Sequence, residues 1–166
     1  MTREPRAVER ALPPPAPFDL VNRTMRWLLS STSRSRSVGQ HLLLLHLTGR
    51  ISGRVIDVPV AYRVRSDGRL LVLTSSTWRV NLRDRPAVDV TWRGTRYPAM
   101  AELVEDPGAV AEVYGHMIVE EGRGRAARRL GVRVNVDRDP THAELVEAAR
   151  RDRLAVVYVD VREQGS

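Results

Sequence analysis

Between Leu42 and Val90, short apolar runs alternate with turn signals at close, regular spacing. An apolar run ends at Thr48-Gly49-Arg50-Ile51-Ser52-Gly53-Arg54. A second run ends at Asp67-Gly68, and a third at Thr74-Ser75-Ser76-Thr77-Trp78-Arg79-Val80-Asn81-Leu82, after which another begins. Repeated short strands with glycine-containing turns point to a small barrel. Gln40–Leu47 is apolar on both faces and reads as a buried strand. Val55–Val64 alternates in part, through Val58, Val60, Tyr62 and Val64, as a half-buried strand does. Asp67-Gly68 is a hairpin signature leading into a return strand, Arg69–Leu73. Pro86–Trp92 and Thr95–Val104 form a further pair around Arg93-Gly94, and Leu154–Val161 is a final strand.

Helical signals flank these strands. Phe18–Ser30 carries Leu20, Val21, Met25, Trp27, Leu28 and Leu29 near helical spacing, with Asp19 placed to cap it. Ser30–Ser37 reads as a loop. Asp106-Pro107-Gly108 opens a helix expected over Ala109–Val119, since proline suits a first turn. Arg123–Leu130 is a basic helical piece ended by Gly131, and Thr141–Arg151 is a third helix. Residues 1–17, with Pro13-Pro14-Pro15-Ala16-Pro17, read as an extended, flexible arm. A single domain is expected over 18–166.

The sequence of 166 residues contains no cysteine, which removes disulfides, thiolate chemistry and Cys-ligated metal sites. No apolar run reaches the ~20 residues of a membrane-spanning helix, and no apolar signal core follows the N-terminus. The expected compartment is therefore cytoplasmic. His41 and His46 are five apart and would face opposite sides of a strand, so they do not chelate one metal. No metal site is expected.

Formal charge is +7, and every basic residue is arginine. Residues 1–100 hold 17 arginines against 7 acids, net +10; residues 101–166 hold 10 against 13, net −3. The basic excess thus travels with the strands. It suits an anionic small molecule or a merely solvated face. With 5% aromatic residues and no binding motif, nucleic acid is not an expected partner.

Two segments carry candidate chemistry. The Gly49–Arg54 turn offers glycine flexibility, backbone N–H groups, the Thr48 and Ser52 hydroxyls, and the Arg50 and Arg54 guanidiniums. That set reads either as a polar hairpin turn or as an anion cradle. It is not a P-loop, because the Gly-Lys-Ser/Thr ending is absent. In Thr74–Leu82, Trp78 and Asn81 read either as a core tryptophan with a loop-tying asparagine or as ligand contacts.

On these two blocks the chain resembles the deazaflavin-dependent nitroreductase family, small enzymes with a split β-barrel. Gly49, Arg50, Ser52 and Gly53 match the family's Gly-Arg-Lys-Ser-Gly-type turn, with Ile51 at the lysine position. Trp78, Asn81, Leu82 and Pro86 match the second block, in a loop shorter than usual. The resemblance implies an α+β fold: a split β-barrel of about six to seven mostly antiparallel strands with helices packed outside. It implies a reductase passing a hydride from reduced coenzyme F-420 to a quinone, nitroaromatic or enone. Arg50, Ser52, Gly53 and Arg54 would hold the phosphate; Thr74, Ser75 and Ser76 would approach the ribityl chain or ring edge; Trp78 and Asn81 would shape the loop. The catalytic residue is unknown, because this chemistry is the cofactor's. The expected partner is a small-molecule substrate, and the assembly a monomer or homodimer. Ile51 and the short loop keep open a cofactor-free member of the same fold, such as a natural-product isomerase or cyclase. A flavin mononucleotide (FMN) protein of this fold is also open.

Overall fold

The computed structural model describes residues 5–11 and 42–162. The expected helix over Phe18–Ser30, the loop over Ser30–Ser37 and His41 lie outside them. The described residues cluster into two compact units.

The larger unit is built on a sheet. Its strands are β2 (Leu42–Thr48), β3 (Val55–Ala61), β4 (Arg63–Val64), β5 (Leu70–Thr74), β6 (Ala87–Trp92), β7 (Thr95–Val104) and β9 (Ala155–Val161), in the spatial order β3-β2-β6-β7-β9-β5-β4. The β2–β3, β2–β6, β6–β7 and β4–β5 pairs are antiparallel. The expected strand Val55–Val64 is divided at Tyr62, for a topological reason. β3 pairs with β2 at one end of the strand order, whereas β4 pairs with β5 at the other. Only Tyr62 separates them, and one extended residue spans ~3.3 Å. The two ends of the sheet are therefore brought together, and the sheet must curl round. The fold is α+β, a split β-barrel.

Register decides what each side of the sheet carries. Leu43, Leu45 and Leu47 of β2 stand opposite Val60, Val58 and Ile56 of β3, and Leu45 also stands opposite Val90 of β6. Those leucines join Val58, Leu70, Val72, Leu82, Val90, Ala99, Ala101, Val157 and Val159 in one buried cluster, with Trp78, Trp92 and Tyr97 packed against it. The alternate residues of β2, Leu44, His46 and Thr48, lie on the other face. There they stand across from Pro59, Asp57 and Val55 of β3. The β6–β7 turn is a two-residue hairpin in which Arg93 and Gly94 both have positive φ, 50° and 80°. That is the turn type whose twist matches paired strands.

The second unit contains β1 (Val8–Arg10), α1 (Pro107–Glu121), α2 (Arg123–Leu130), β8 (Val132–Val134) and α3 (His142–Asp152). All three helices fall where the sequence places them, to within two residues at each end. The Asp106 carboxylate caps α1 by accepting from the Ala109 N–H at 2.9 Å. Val8–Arg10, inside the expected arm, is a strand antiparallel to β8. Val8 is buried, the Arg10 N–H donates to Asp152 at 3.0 Å, and the Arg151 guanidinium donates to the Val8 carbonyl at 2.6 Å. Three residues with one apolar side chain give no periodicity to read, and these partners lie more than 120 residues away.

Thr141 caps α3 in a reciprocal box. Its hydroxyl accepts from the Glu144 N–H, and the Glu144 carboxylate accepts from the Thr141 N–H. Arg138 donates two bonds to the same carboxylate, at 2.7 and 2.8 Å. The Arg138 guanidinium, then the Thr141 N–H, hold Glu144 down to about 2 from 4.5. A lowered carboxylate stabilises the fold above its unfolded value and loses that contribution as pH falls through the folded one. In acid titrations followed by denaturant unfolding, the native chain should therefore lose stability between about pH 4.5 and 2 more steeply than Glu144→Gln.

Candidate functional site

The Gly49–Arg54 turn joins β2 to β3 and is closed by its own backbone. The Gly49 N–H donates to the Arg54 carbonyl at 2.8 Å, and the Gly53 N–H to the Gly49 carbonyl at 2.9 Å. Gly53 has a φ of +67°, which favours glycine. A Cβ at Gly49 would stand 2.6 Å from the Ser52 Oγ. Ser52 Oγ accepts from the Arg54 N–H at 3.3 Å and keeps its own hydroxyl proton to donate. The Arg54 guanidinium is exposed and has no side-chain partner among the described residues.

Arg50 faces a different task. Its N–H donates to Asn81 Oδ1 at 2.9 Å, and its guanidinium donates to the carbonyls of Arg83 at 2.8 Å and Val80 at 3.2 Å. Asp84 lies 3.6 Å from the same guanidinium. Asn81 completes the tie, donating from Nδ2 to the Trp78 carbonyl at 2.9 Å. Trp78 and Asn81 belong to a 3-10 helix, Thr77–Leu82, where the sequence pattern predicts a loop. Its buried arginine, Arg79, donates to the Ser76 carbonyl at 2.7 Å. The structure thus joins the two sequence blocks through Arg50 and Asn81. Ser76 stands just ahead of the 3-10 helix. Thr74 ends β5 and Ser75 follows it, both half-buried and both clustered with the helical unit.

Beside the turn, on the face of the sheet turned away from the leucine core, lies a groove of about 510 Å³. His46, Thr48, Val55 and Asn81 line its turn end, with Arg85, Asp89, Arg96 and Arg162 further along. Arg96 pairs with Asp89 at 2.8 Å. The guanidiniums of Arg85 and Arg162 have no ion-pair partner among the described residues. The groove therefore carries uncompensated positive charge and suits an anionic group.

The sequence reading missed His46. Its Nδ1 lies 2.7 Å from Asp57 Oδ1 and its Nε2 2.8 Å from Thr91 Oγ1. Register explains the convergence. Asp57 is the direct cross-strand partner of His46, and Thr91 lies two residues along β6 from Asp89, the partner on the other side. Period-two alternation then puts all three on one face. The available signal was a histidine at an even position of an otherwise leucine strand, but its partners could not be named before the register was known. Among the described residues no cluster of His, Cys, Asp and Glu has the grouping of a metal site. No helix among them is long and apolar enough to cross a membrane.

The family described as F420H(2)-dependent quinone reductase matches residues 22–127. The chain belongs to that family. The match takes in the Gly49–Arg54 turn, the Trp78–Asn81 block and β2 to β7, so the elements that build the groove are family elements apart from Arg162 in the C-terminal segment. Family membership makes this a deazaflavin-dependent reductase in general terms. No curated protein matches the chain. Among solved structures it is similar to an F420-H2 dependent reductase, FDR-A, at 22% identity over 73% of this chain and 95% of that one, with a TM-score of 0.44. It is also similar to a protein described as a domain-swapped dimer, at 22% identity over 87% and 100% with a TM-score of 0.45. A pyridoxamine 5'-phosphate oxidase-related, FMN-binding protein from Nostoc punctiforme PCC 73102 aligns at 14% identity over 89% and 81%, TM-score 0.49.

Proposed function

We propose that the chain binds reduced coenzyme F-420 at the β2–β3 turn and reduces a quinone, nitroaromatic or enone. One observation carries the reading. The turn that matches the family's phosphate-gripping motif is fixed to the Trp78–Asn81 block through the Arg50 N–H and guanidinium. A preset turn loses little conformational freedom when it binds.

The donor set fits the coenzyme's phosphate. Arg54 supplies an unspent guanidinium, and Ser52 supplies a hydroxyl proton. Charged hydrogen bonds of this kind are the strong ones. Arg50 acts at one remove, since its guanidinium already serves two carbonyls. It holds the turn so that Ser52 and Arg54 face one ligand. Arg85 and Arg162 offer charge to the anionic remainder of the coenzyme. When bound, the reduced deazaflavin supplies the hydride. The chain's own part is to bind, to orient and to exclude water.

A second reading has its own support. Ile51 stands where the family motif has lysine and is fully exposed, at 103%. With Arg50 occupied as well, the turn offers one free cation where the motif offers more. In that reading the groove serves a cofactor-free reaction on an anionic small molecule. Calorimetric and fluorescence titration with oxidised and reduced coenzyme F-420, with FMN as control, separates the two. Saturable micromolar binding of the deazaflavin alone is the expected result. Absence of binding by either cofactor would overturn it and leave the second reading.

A further inference from the structure

We infer that His46 is the proton donor of the groove, the general acid that protonates the substrate once it has accepted hydride. The inference rests on the hydride transfer proposed for the chain.

That reaction consumes a proton as well as a hydride. A quinone that accepts hydride becomes a hydroquinone monoanion, and an enone becomes an enolate. In both, the new charge sits on oxygen. A groove that excludes water leaves the proton to the chain's own side chains.

The lining of the groove narrows the choice. Among the described residues that line it, His46 and Asp89 alone belong to the types that exchange a proton readily in water. Arg85, Arg96 and Arg162 keep theirs. Asp89 takes two bonds from Arg96, at 2.8 and 3.2 Å, and a carboxylate only accepts.

His46 is held for proton exchange at one atom. Its Nδ1 lies 2.7 Å from Asp57 Oδ1, so the carboxylate fixes a proton on that nitrogen. Nε2 is then the nitrogen that gains and loses one. Its partner, Thr91 Oγ1 at 2.8 Å, suits both states. A hydroxyl accepts from a protonated Nε2 and, by rotating, donates to a bare one. A backbone carbonyl in its place would serve the protonated state alone. The other charged groups around the ring are Asp89, its cross-strand neighbour on β6, and Arg96 of β7, which Asp89 binds.

The ring also has access. The His46 side chain is 10% exposed and lines the groove. Thr48 lines the same groove two residues along β2, ~7 Å away, and leads into the turn. A ligand held at the turn and lying along the groove therefore passes the imidazole. There the substrate oxygen takes the proton from Nε2, the N–H bond breaking as the O–H bond forms. Asp57 keeps the Nδ1 proton throughout, and solvent returns a proton to Nε2 before the next turnover.

The test is steady-state oxidation of reduced coenzyme F-420 by menadione, a quinone, with coenzyme affinity measured separately by calorimetry. In the native chain kcat should fall as pH rises, because the donor form of His46 is lost, and turnover should be slower in deuterium oxide. His46→Gln keeps a donor and an acceptor for Asp57 and Thr91 but has no proton to give. It should lower kcat by ~100-fold, within the range of a positioned acid, lose the falling limb of the profile and bind the coenzyme as the native chain does. Added imidazole should restore part of its turnover, which a merely structural role for His46 would not allow. An undiminished kcat in His46→Gln, or a native profile without the falling limb, would overturn the proton-donor role and leave the hydride reading standing. A native chain that neither binds nor oxidises the coenzyme would overturn both.

Discussion

Replacing Leu45 by alanine should destabilise the sheet unit by ~2–5 kcal/mol, the range for truncating a fully buried leucine. Leu45 is 0% exposed at the middle of β2 and stands between Val58 and Val90, its partners on the two neighbouring strands. The cavity left by the change would lie under β2, whose backbone is already hydrogen-bonded to β3 on one side and β6 on the other, so little collapse can fill it. The next residue, His46, faces the groove and ties β2 to Asp57 and Thr91. A loss of packing beneath β2 therefore reaches the site through one peptide bond. Denaturant unfolding should show the lower midpoint with little change in slope. The coenzyme, if it binds the native turn, should recover part of the loss by mass action. A cost under about 1 kcal/mol would mean that the cluster around Leu45 is less tightly packed than the structure gives it.

How much of this was legible in the sequence depended on the range of the interactions. Gly68, with φ of +83°, and the Arg93-Gly94 pair are local devices, and their dipeptides announced them. The start of the helix after Asp106 was legible in the same way from Asp106-Pro107-Gly108, whereas Thr141, expected as the first helical residue, is the cap. The division of Val55–Val64 at Tyr62 was not legible. Nothing in that run says that its two halves pair at opposite ends of the strand order. The strand at Val8–Arg10 was hidden for the same reason, because its partners are Val132–Val134 and Asp152. At the site, the family motif picked out two separate blocks, the Gly49–Arg54 turn and the Trp78–Asn81 segment, which the structure joins through Arg50 and Asn81. It did not divide the labour between Arg50 and Arg54, because which guanidinium is spent depends on where the carbonyls of Val80 and Arg83 lie. His46 was visible as a residue but not as a member of a group, since Asp57 and Thr91 join it only through register.

That division of labour yields the second large effect. Arg54→Ala should weaken coenzyme binding by ~1–3 kcal/mol, the worth of a charged hydrogen bond removed from a ligand, and leave the unfolding midpoint nearly unchanged. Arg54 is exposed, and among the described residues its bonds run through its backbone, to Ser52 Oγ and from the Gly49 N–H. Alanine keeps both. Arg50→Ala should behave differently, because it removes the bonds to the Val80 and Arg83 carbonyls and frees Asp84. The turn would then be held to the 3-10 helix only by the Arg50 N–H and Asn81. Its binding loss should come with a lowered midpoint and with faster protease cleavage in residues 49–54. Isothermal titration and denaturant unfolding on the two variants give four numbers, and the pattern among them carries the argument. Binding lost in both with stability lost only in Arg50→Ala fits a ligand cation at 54 and a fastening residue at 50. Equal stability losses would place both arginines in the scaffold and remove the phosphate from the turn. Unchanged binding in both would remove the coenzyme from this end of the groove.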